Sequence, residues 1–286
     1  MNKLVMIVSL SAISLGALAN NKVIYGDDNR VDVYASNNSA FVELSKSTAA
    51  MIKNKDIKKK FFSRKYKLNG SSLRRELRVC KEERYANQPS AANCSGFLVG
   101  ENLLVTAGHC VKDMSDCNGA KWVFDYKMIN DTQANLSHRK DSVYSCKKII
   151  SQSLDRATKD DFALIELDRK VTGRSPLKFR TTGKPSVGDE LVVIGHPSGL
   201  PTKIADGAQV RSLEATHFKA NLDTYGGNSG SAVFNVSTGE IEGILVRGET
   251  DYLVRGNCRV SNRVDNDKGD GEGVTYITNI KALMDM

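Results

Sequence analysis

Cys94-Ser95-Gly96-Phe97-Leu98-Val99, Gly100-Glu101-Asn102 and Leu103-Leu104-Val105-Thr106-Ala107-Gly108-His109-Cys110 form one continuous stretch that decides the fold. Two apolar runs rich in strand-forming residues flank a short Gly-led turn, which predicts a β-hairpin. The second run ends in a histidine beside a cysteine, and that cysteine follows the first by sixteen residues. Outward along the chain, Asp161-Phe162-Ala163-Leu164-Ile165 sets an acid at the head of an apolar run. Further on, Gly226-Gly227-Asn228-Ser229-Gly230-Ser231 sets a serine in a glycine-rich turn. A hydroxyl nucleophile needs a base to take its proton, and the base needs a carboxylate to fix its tautomer. His109, Asp161 and Ser229 supply all three, in that chain order.

With these motifs in this order the chain resembles the chymotrypsin/trypsin-like serine peptidases, and among them the bacterial branch related to the glutamyl endopeptidases. The resemblance implies an all-β fold of two packed six-stranded antiparallel β-barrels, with the active site in the cleft between them. It implies Ser229 as nucleophile, His109 as general base and Asp161 as its orienting acid, with Asp160 as the neighbouring alternative. The oxyanion hole would come from Gly227, Asn228 and Ser229, with Gly227 and Ser229 as the N–H donors. It also implies a disulfide between Cys94 and Cys110 that pins the histidine loop. The implied product is a secreted endopeptidase acting on protein or peptide substrates, working as a monomer and without a cofactor. A protease-like binding module of the same fold is the alternative from another functional class. His138, His196 and His217 lie outside the motifs, and His196 reads as a loop-packing residue.

Specificity is less settled. Asp223 lies six residues before Ser229, where trypsin-type members carry the acid at the floor of the primary pocket, and Thr224 would line its wall. This implies cleavage after Lys or Arg. Cleavage after Glu is the rival, but the histidine that the glutamyl branch uses aligns near Leu245. Arg247 is expected close to the same wall, where it could neutralise Asp223 or admit an acidic side chain. Asn228 replaces the aspartate that, in animal digestive members, pairs with the new amino terminus on activation.

The chain has 286 residues, enough for one large domain or two half-size ones. Lys3, the apolar run at 4–18 and Ala17-Leu18-Ala19 read as a signal peptide over residues 1–19. Residues 20–22 read as a short propeptide, with Lys22 before Val23-Ile24 as a processing site. The peptidase domain is then expected over 23–286, with a first barrel at about 40–175, a link at 173–188 and a second barrel at about 185–286. Export to the periplasm or medium favours disulfides for the six cysteines. No Cys-x-x-Cys or His-Glu-x-x-His spacing points to a metal. Beyond Cys94 and Cys110, the remaining cysteines Cys80, Cys117, Cys146 and Cys258 allow three pairings. Cys117 with Cys146 is favoured, since neighbouring strands could bring them together, which leaves Cys80 with Cys258.

Strand-like runs recur at 163–167, 191–194, 232–234 and 241–246, and helical pattern is expected only after Met51 and after Asn279. Residues 53–84 hold thirteen Lys or Arg against four Asp or Glu, whereas the whole chain is net +8. This insert is expected to be a solvated excursion, with an anionic surface as the sharper alternative and no specific nucleic acid. Asp265, Asp267, Asp270 and Glu272 among glycines raise a calcium loop, but Gly269 breaks its register.

Overall fold

The hairpin at 94–106 forms with Phe97 opposite Val105 and Leu98 opposite Leu104, and it seeds a closed barrel. In the computed structural model, residues 23–60, 63 and 65–286 are described. The expected signal peptide and propeptide lie outside these residues. Around the first barrel run Ala120–Phe124, Val143–Leu154, Asp161–Leu167, Leu103–Thr106, Cys94–Leu98 and Thr48–Lys53, which closes on Ala120–Phe124. Trp122, Phe97, Leu104 and Ile165 fill it, each at most 1% exposed.

The second barrel runs through Glu190–Gly195, Ala232–Asn235, Ile241–Arg247, Glu272–Tyr276, His217–Ala220 and Lys203–Leu213, which pairs back with Glu190–Gly195. The fold is therefore two closed six-stranded antiparallel barrels. The amino-terminal segment joins the second barrel, not the first. Arg30–Asp32 adds to the edge of Lys203–Leu213, and Ile24–Tyr25 runs parallel to Arg263–Val264. Buried polar pairs hold it there: Lys203 Nζ meets Asp32 at 2.6 Å, and Arg30 meets Asp28 at 2.7 Å. The Arg30 guanidinium lies 4.3 Å from the ring centre of Tyr225, four residues before Ser229.

Cys94–Cys110, Cys117–Cys146 and Cys80–Cys258 all form, as the favoured pairing has it. The segment after Met51 is a correction. Met51 itself lies in the barrel strand Thr48–Lys53, and Ile57–Lys60, Lys65–Leu68 and Ser137–His138 make a three-stranded sheet beyond it. Ile57, Tyr66 and Leu68 turn to one side against a small core while Lys58, Lys60, Lys65 and Lys67 stay exposed. That is a strand's alternation with lysines on the wet face, and it outweighs the helix propensity of lysine. Helix here is limited to a 3-10 turn at Asn54–Asp56 and the α-helical Leu73–Leu77, capped by Ser72. The carboxy-terminal helix is one turn, Lys281–Met284.

Candidate active site

His109 leaves the end of Leu103–Thr106, and Asp161 opens Asp161–Leu167, the strand beside it in the first barrel. Thr106 pairs with Ala163, so the barrel ladder brings the histidine loop back over Asp161. Asp161 holds His109 at two points. Its Oδ2 lies 2.8 Å from Nδ1 of the ring, and its Oδ1 accepts the His109 backbone N–H at 3.1 Å. A carboxylate at Nδ1 places the proton there and leaves Nε2 as the basic nitrogen facing outward. Asp160 turns elsewhere, accepting a hydrogen bond from Asn279 at 2.8 Å.

Ser229 comes from the second barrel, in the turn before Ala232–Asn235, and is buried. The Ser95 N–H donates to its carbonyl at 2.8 Å, which ties the serine turn to the hairpin that carries His109. Gly230, at φ +87°, sits so close to Ser95 and Thr106 that a Cβ would strike both. Gly227, at φ +93°, faces the carbonyl of His196 and the N–H of Gly199 and has the same lack of room. Among the described residues the N–H groups of Gly227 and Ser229 have no protein acceptor. The Asn228 N–H donates to the Tyr225 carbonyl at 2.9 Å, which leaves the expected donors Gly227 and Ser229 as the two free N–H groups of the turn. No hydrogen bond joins the Ser229 hydroxyl to the His109 ring among the described residues. Such bonds often lengthen when no substrate is bound.

Asp223 does not stand free at a pocket floor. Its two oxygens accept the backbone N–H groups of Tyr25 and Asn29, both at 2.8 Å. Burial pushes its carboxyl up to about 6, against the pull of those two bonds. Arg247 lies away from it, donating to the Lys159 carbonyl beside Asp160 and Asp161. The acid that faces Thr224 is Glu272, fully buried, whose Oε2 accepts the Thr224 hydroxyl at 2.7 Å. Sequence reading left Glu272 in the supposed calcium loop. In the fold it turns inward at the head of Glu272–Tyr276, while the neighbouring Arg263–Val264 is tied to Ile24–Tyr25. Only its place on a buried strand beside Gly273-Val274 could have flagged it.

His196 packs under the serine turn, its Nδ1 at 3.0 Å from the Leu200 carbonyl and its ring stacked on Tyr126. Burial holds it down to about 4, so it stays neutral, as a loop-packing residue should. Among the described residues the one close group of possible metal donors is Cys94, His109 and Cys110. Its two sulfurs are bonded to each other, which leaves no donor set that fits a metal. No described helix is long and apolar enough to cross a membrane.

Several known proteins are similar to this chain in sequence or in fold. The chain is 32% identical to an extracellular metalloprotease of Bacillus subtilis, over 64% of this chain and 59% of that protein. It is 26% identical to a glutamyl endopeptidase of Bacillus licheniformis, over 52% of this chain and 47% of that protein. The chain thus spans about half to three fifths of the length of these relatives. In fold it resembles a solved Glu endopeptidase, at a TM-score of 0.53 and 16% identity over 92% of this chain and 98% of that one. The VesB protease of Vibrio cholerae aligns with the same TM-score of 0.53, at 14% identity, over 89% of this chain and 65% of that one. A family model for the trypsin-like peptidase domain matches residues 94–244, the stretch that carries both barrels' share of the site, and the chain belongs to that family.

Proposed function

We propose that the protein is an exported serine endopeptidase that hydrolyses peptide bonds with His109, Asp161 and Ser229, preferring Lys or Arg before the cut bond. The observation that carries this reading is the two-point hold of Asp161 on His109, at 2.8 and 3.1 Å, beside a serine turn fastened to the same hairpin. His109 Nε2 takes the Ser229 proton as Oγ attacks the substrate carbonyl. The tetrahedral oxyanion receives the free N–H groups of Gly227 and Ser229. His109 then protonates the leaving amine, and water attacks the acyl-enzyme by the same steps in reverse. Export is supported by the leader-like residues 1–19 and by three disulfides.

The Lys/Arg preference now rests on Glu272 with Thr224 instead of Asp223. A cationic side chain entering beside the segment that precedes Ser229 would meet the Glu272 carboxylate out of water, where such pairing is strong. Glu249 and Asp251 add negative charge on the adjoining loop, where Asp251 accepts the Gly226 N–H at 2.9 Å. The test is fluorophosphonate labelling followed by a peptide-library cleavage profile of the mature protein. Ser229→Ala should abolish labelling and lower turnover on the order of 10⁶-fold. Absence of labelling in the unaltered, folded protein would instead support a binding module.

A further inference from the structure

Between the lysine-rich sheet and the first barrel lies an open cleft of about 1390 Å³. Among the described residues six cations line it: Lys59 and Lys65 from the sheet, and Arg139, Lys140, Arg169 and Lys170 from the segments beside the barrel strands. Asp141 is the one acid among its described lining residues. The two walls converge because Ser137–His138 pairs with Lys65–Leu68 just before the chain enters Val143–Leu154. Part of this charge is fixed in place. The Arg169 guanidinium lies 4.0 Å from the Tyr144 ring centre, donates to the Val143 carbonyl at 2.8 Å and pairs with Asp168 at 2.9 Å. Arg139 leans on Asp141 at 3.6 Å, and Lys170 pairs with Glu101. Lys59, Lys65 and Lys140 make no ion pair among the described residues, so their charge faces the cleft uncompensated. Facing walls of one sign focus the field and concentrate a polyanion between them.

The cleft is remote from the catalytic residues. It opens at the Val143 end of Val143–Leu154, whereas Leu154 at the other end pairs with Asp161. At the rise of an extended strand this separation is on the order of 30 Å.

We propose that this cleft is a docking site for a linear sulfated polysaccharide, separate from the site of hydrolysis. A trough with cations on two walls grips a chain on both sides, which the plane of a membrane cannot reach. Single-stranded nucleic acid needs exposed aromatic faces for its bases. Of the two described aromatics that line the cleft, Tyr144 is 1% exposed beneath Arg169 and Tyr66 is half-buried against the small core beside Leu68, so charge recognition prevails. Sulfates repeated along a sugar chain supply that charge without requiring a stacking surface. Docking there leaves the catalytic cleft open to protein substrates in the same matrix.

The test is binding of a dye-labelled heparin oligosaccharide to the full folded protein, read by fluorescence anisotropy across a salt series. Two charge-reversed variants are compared with the unaltered protein: Lys59→Glu/Lys65→Glu in the cleft, and Lys178→Glu/Lys281→Glu, equal in charge but elsewhere. The cleft variant should weaken heparin binding at least tenfold and flatten the slope of log affinity against log salt, because fewer counterions are released. The control should shift it less than twofold. Lys140→Ala serves as a milder cleft variant and should weaken binding about threefold. Heparin at saturation should leave turnover of a short chromogenic peptide by the unaltered protein unchanged. Equal loss in both double variants, or competition between heparin and the peptide, would overturn the proposal. So would tighter binding of duplex DNA or of phosphatidylserine vesicles at matched charge.

Discussion

The carboxylate of Asp223 accepts the backbone N–H of Tyr25 at 2.8 Å, joining residues 198 apart in sequence. Its other oxygen takes the N–H of Asn29, so one buried acid fastens the whole turn at 25–29 to the segment that leads into Ser229. Asn228, directly before Ser229, is not used for this. Its Oδ1 accepts the Ser231 hydroxyl at 3.2 Å within the serine turn itself. The amino-terminal segment is anchored at Asp223, six residues before Ser229, and not at the residue directly before it.

This anchor should make stability depend on pH in a defined window. Burial raises the folded-state pKa of Asp223 from its ordinary 3.8 to about 6. Between those values the folded protein binds more protons than the unfolded chain, so this residue's contribution falls as pH rises from about 4 to 6. The full change is on the order of 3 kcal/mol. Asp223→Asn removes the titration. Denaturant melts at pH 4, 5, 6 and 7 should show the variant gaining on the unaltered protein through that window. A constant difference at all four values would contradict the assignment.

The hairpin was legible in its alternation and turn, while the two barrels and the place of Asp161 beside His109 were implied by the resemblance to the trypsin-like peptidases. Alternation and turns mark the strands, and Asp161 must lie near His109 once Asp161–Leu167 and Leu103–Thr106 pair. The Asp223 contacts and the Glu272 position depend on pairings across long stretches of chain, which spacing does not encode. Asp223 and Asp28 look alike in sequence, yet one caps backbone N–H groups and the other pairs with Arg30. The strand reading of the lysine-rich segment was masked by composition, since lysine favours helix and only Ile57, Tyr66 and Leu68 report the alternation.

Asp161→Asn should leave the fold intact and lower kcat by about 10⁴-fold, because an amide does not enforce the Nδ1–H tautomer of His109. The His109 N–H bond at 3.1 Å gives the residue a second, structural duty. Asp161→Ala should therefore also loosen the histidine loop, with a drop in melting temperature that the Asn variant lacks. The pair is compared by calorimetry and by turnover of one peptide substrate.

Cys80–Cys258 ties the segment after Leu73–Leu77 to the hairpin Tyr252–Arg255 and Cys258–Ser261. On that hairpin the Tyr252 ring lies against Tyr225 with centres 4.7 Å apart, tilted by 38°, and its hydroxyl hydrogen-bonds Ser198 at 2.8 Å. Replacing both cysteines with serine should lower stability by about 2–5 kcal/mol. It should raise KM more than it lowers kcat, since the wall behind Tyr225 loosens while His109 and Ser229 keep their own ties. Chemical denaturation and steady-state kinetics on the double variant check both halves.

The specificity assignment has its sharpest test at Glu272. The residue is fully buried, and its Oε2 accepts at 2.7 Å the hydroxyl of Thr224, the residue after Asp223. Glu272→Gln keeps the size and the hydrogen bond from Thr224 but removes the charge. If that charge receives the substrate cation, kcat/KM for a peptide with Arg before the cut bond should fall about 100-fold, while the matched Gln peptide changes little. Asp223→Asn should leave the Arg-to-Gln ratio within about threefold, because its oxygens are already occupied by Tyr25 and Asn29. A ratio that collapses in the Asp223 variant and survives in the Glu272 variant would return the pocket acid to Asp223. A preference for Glu before the cut bond in the unaltered protein would overturn both assignments and point to recognition of an anion, with Arg247, whose charge acts on Asp160 and Asp161, as the cation to be tested.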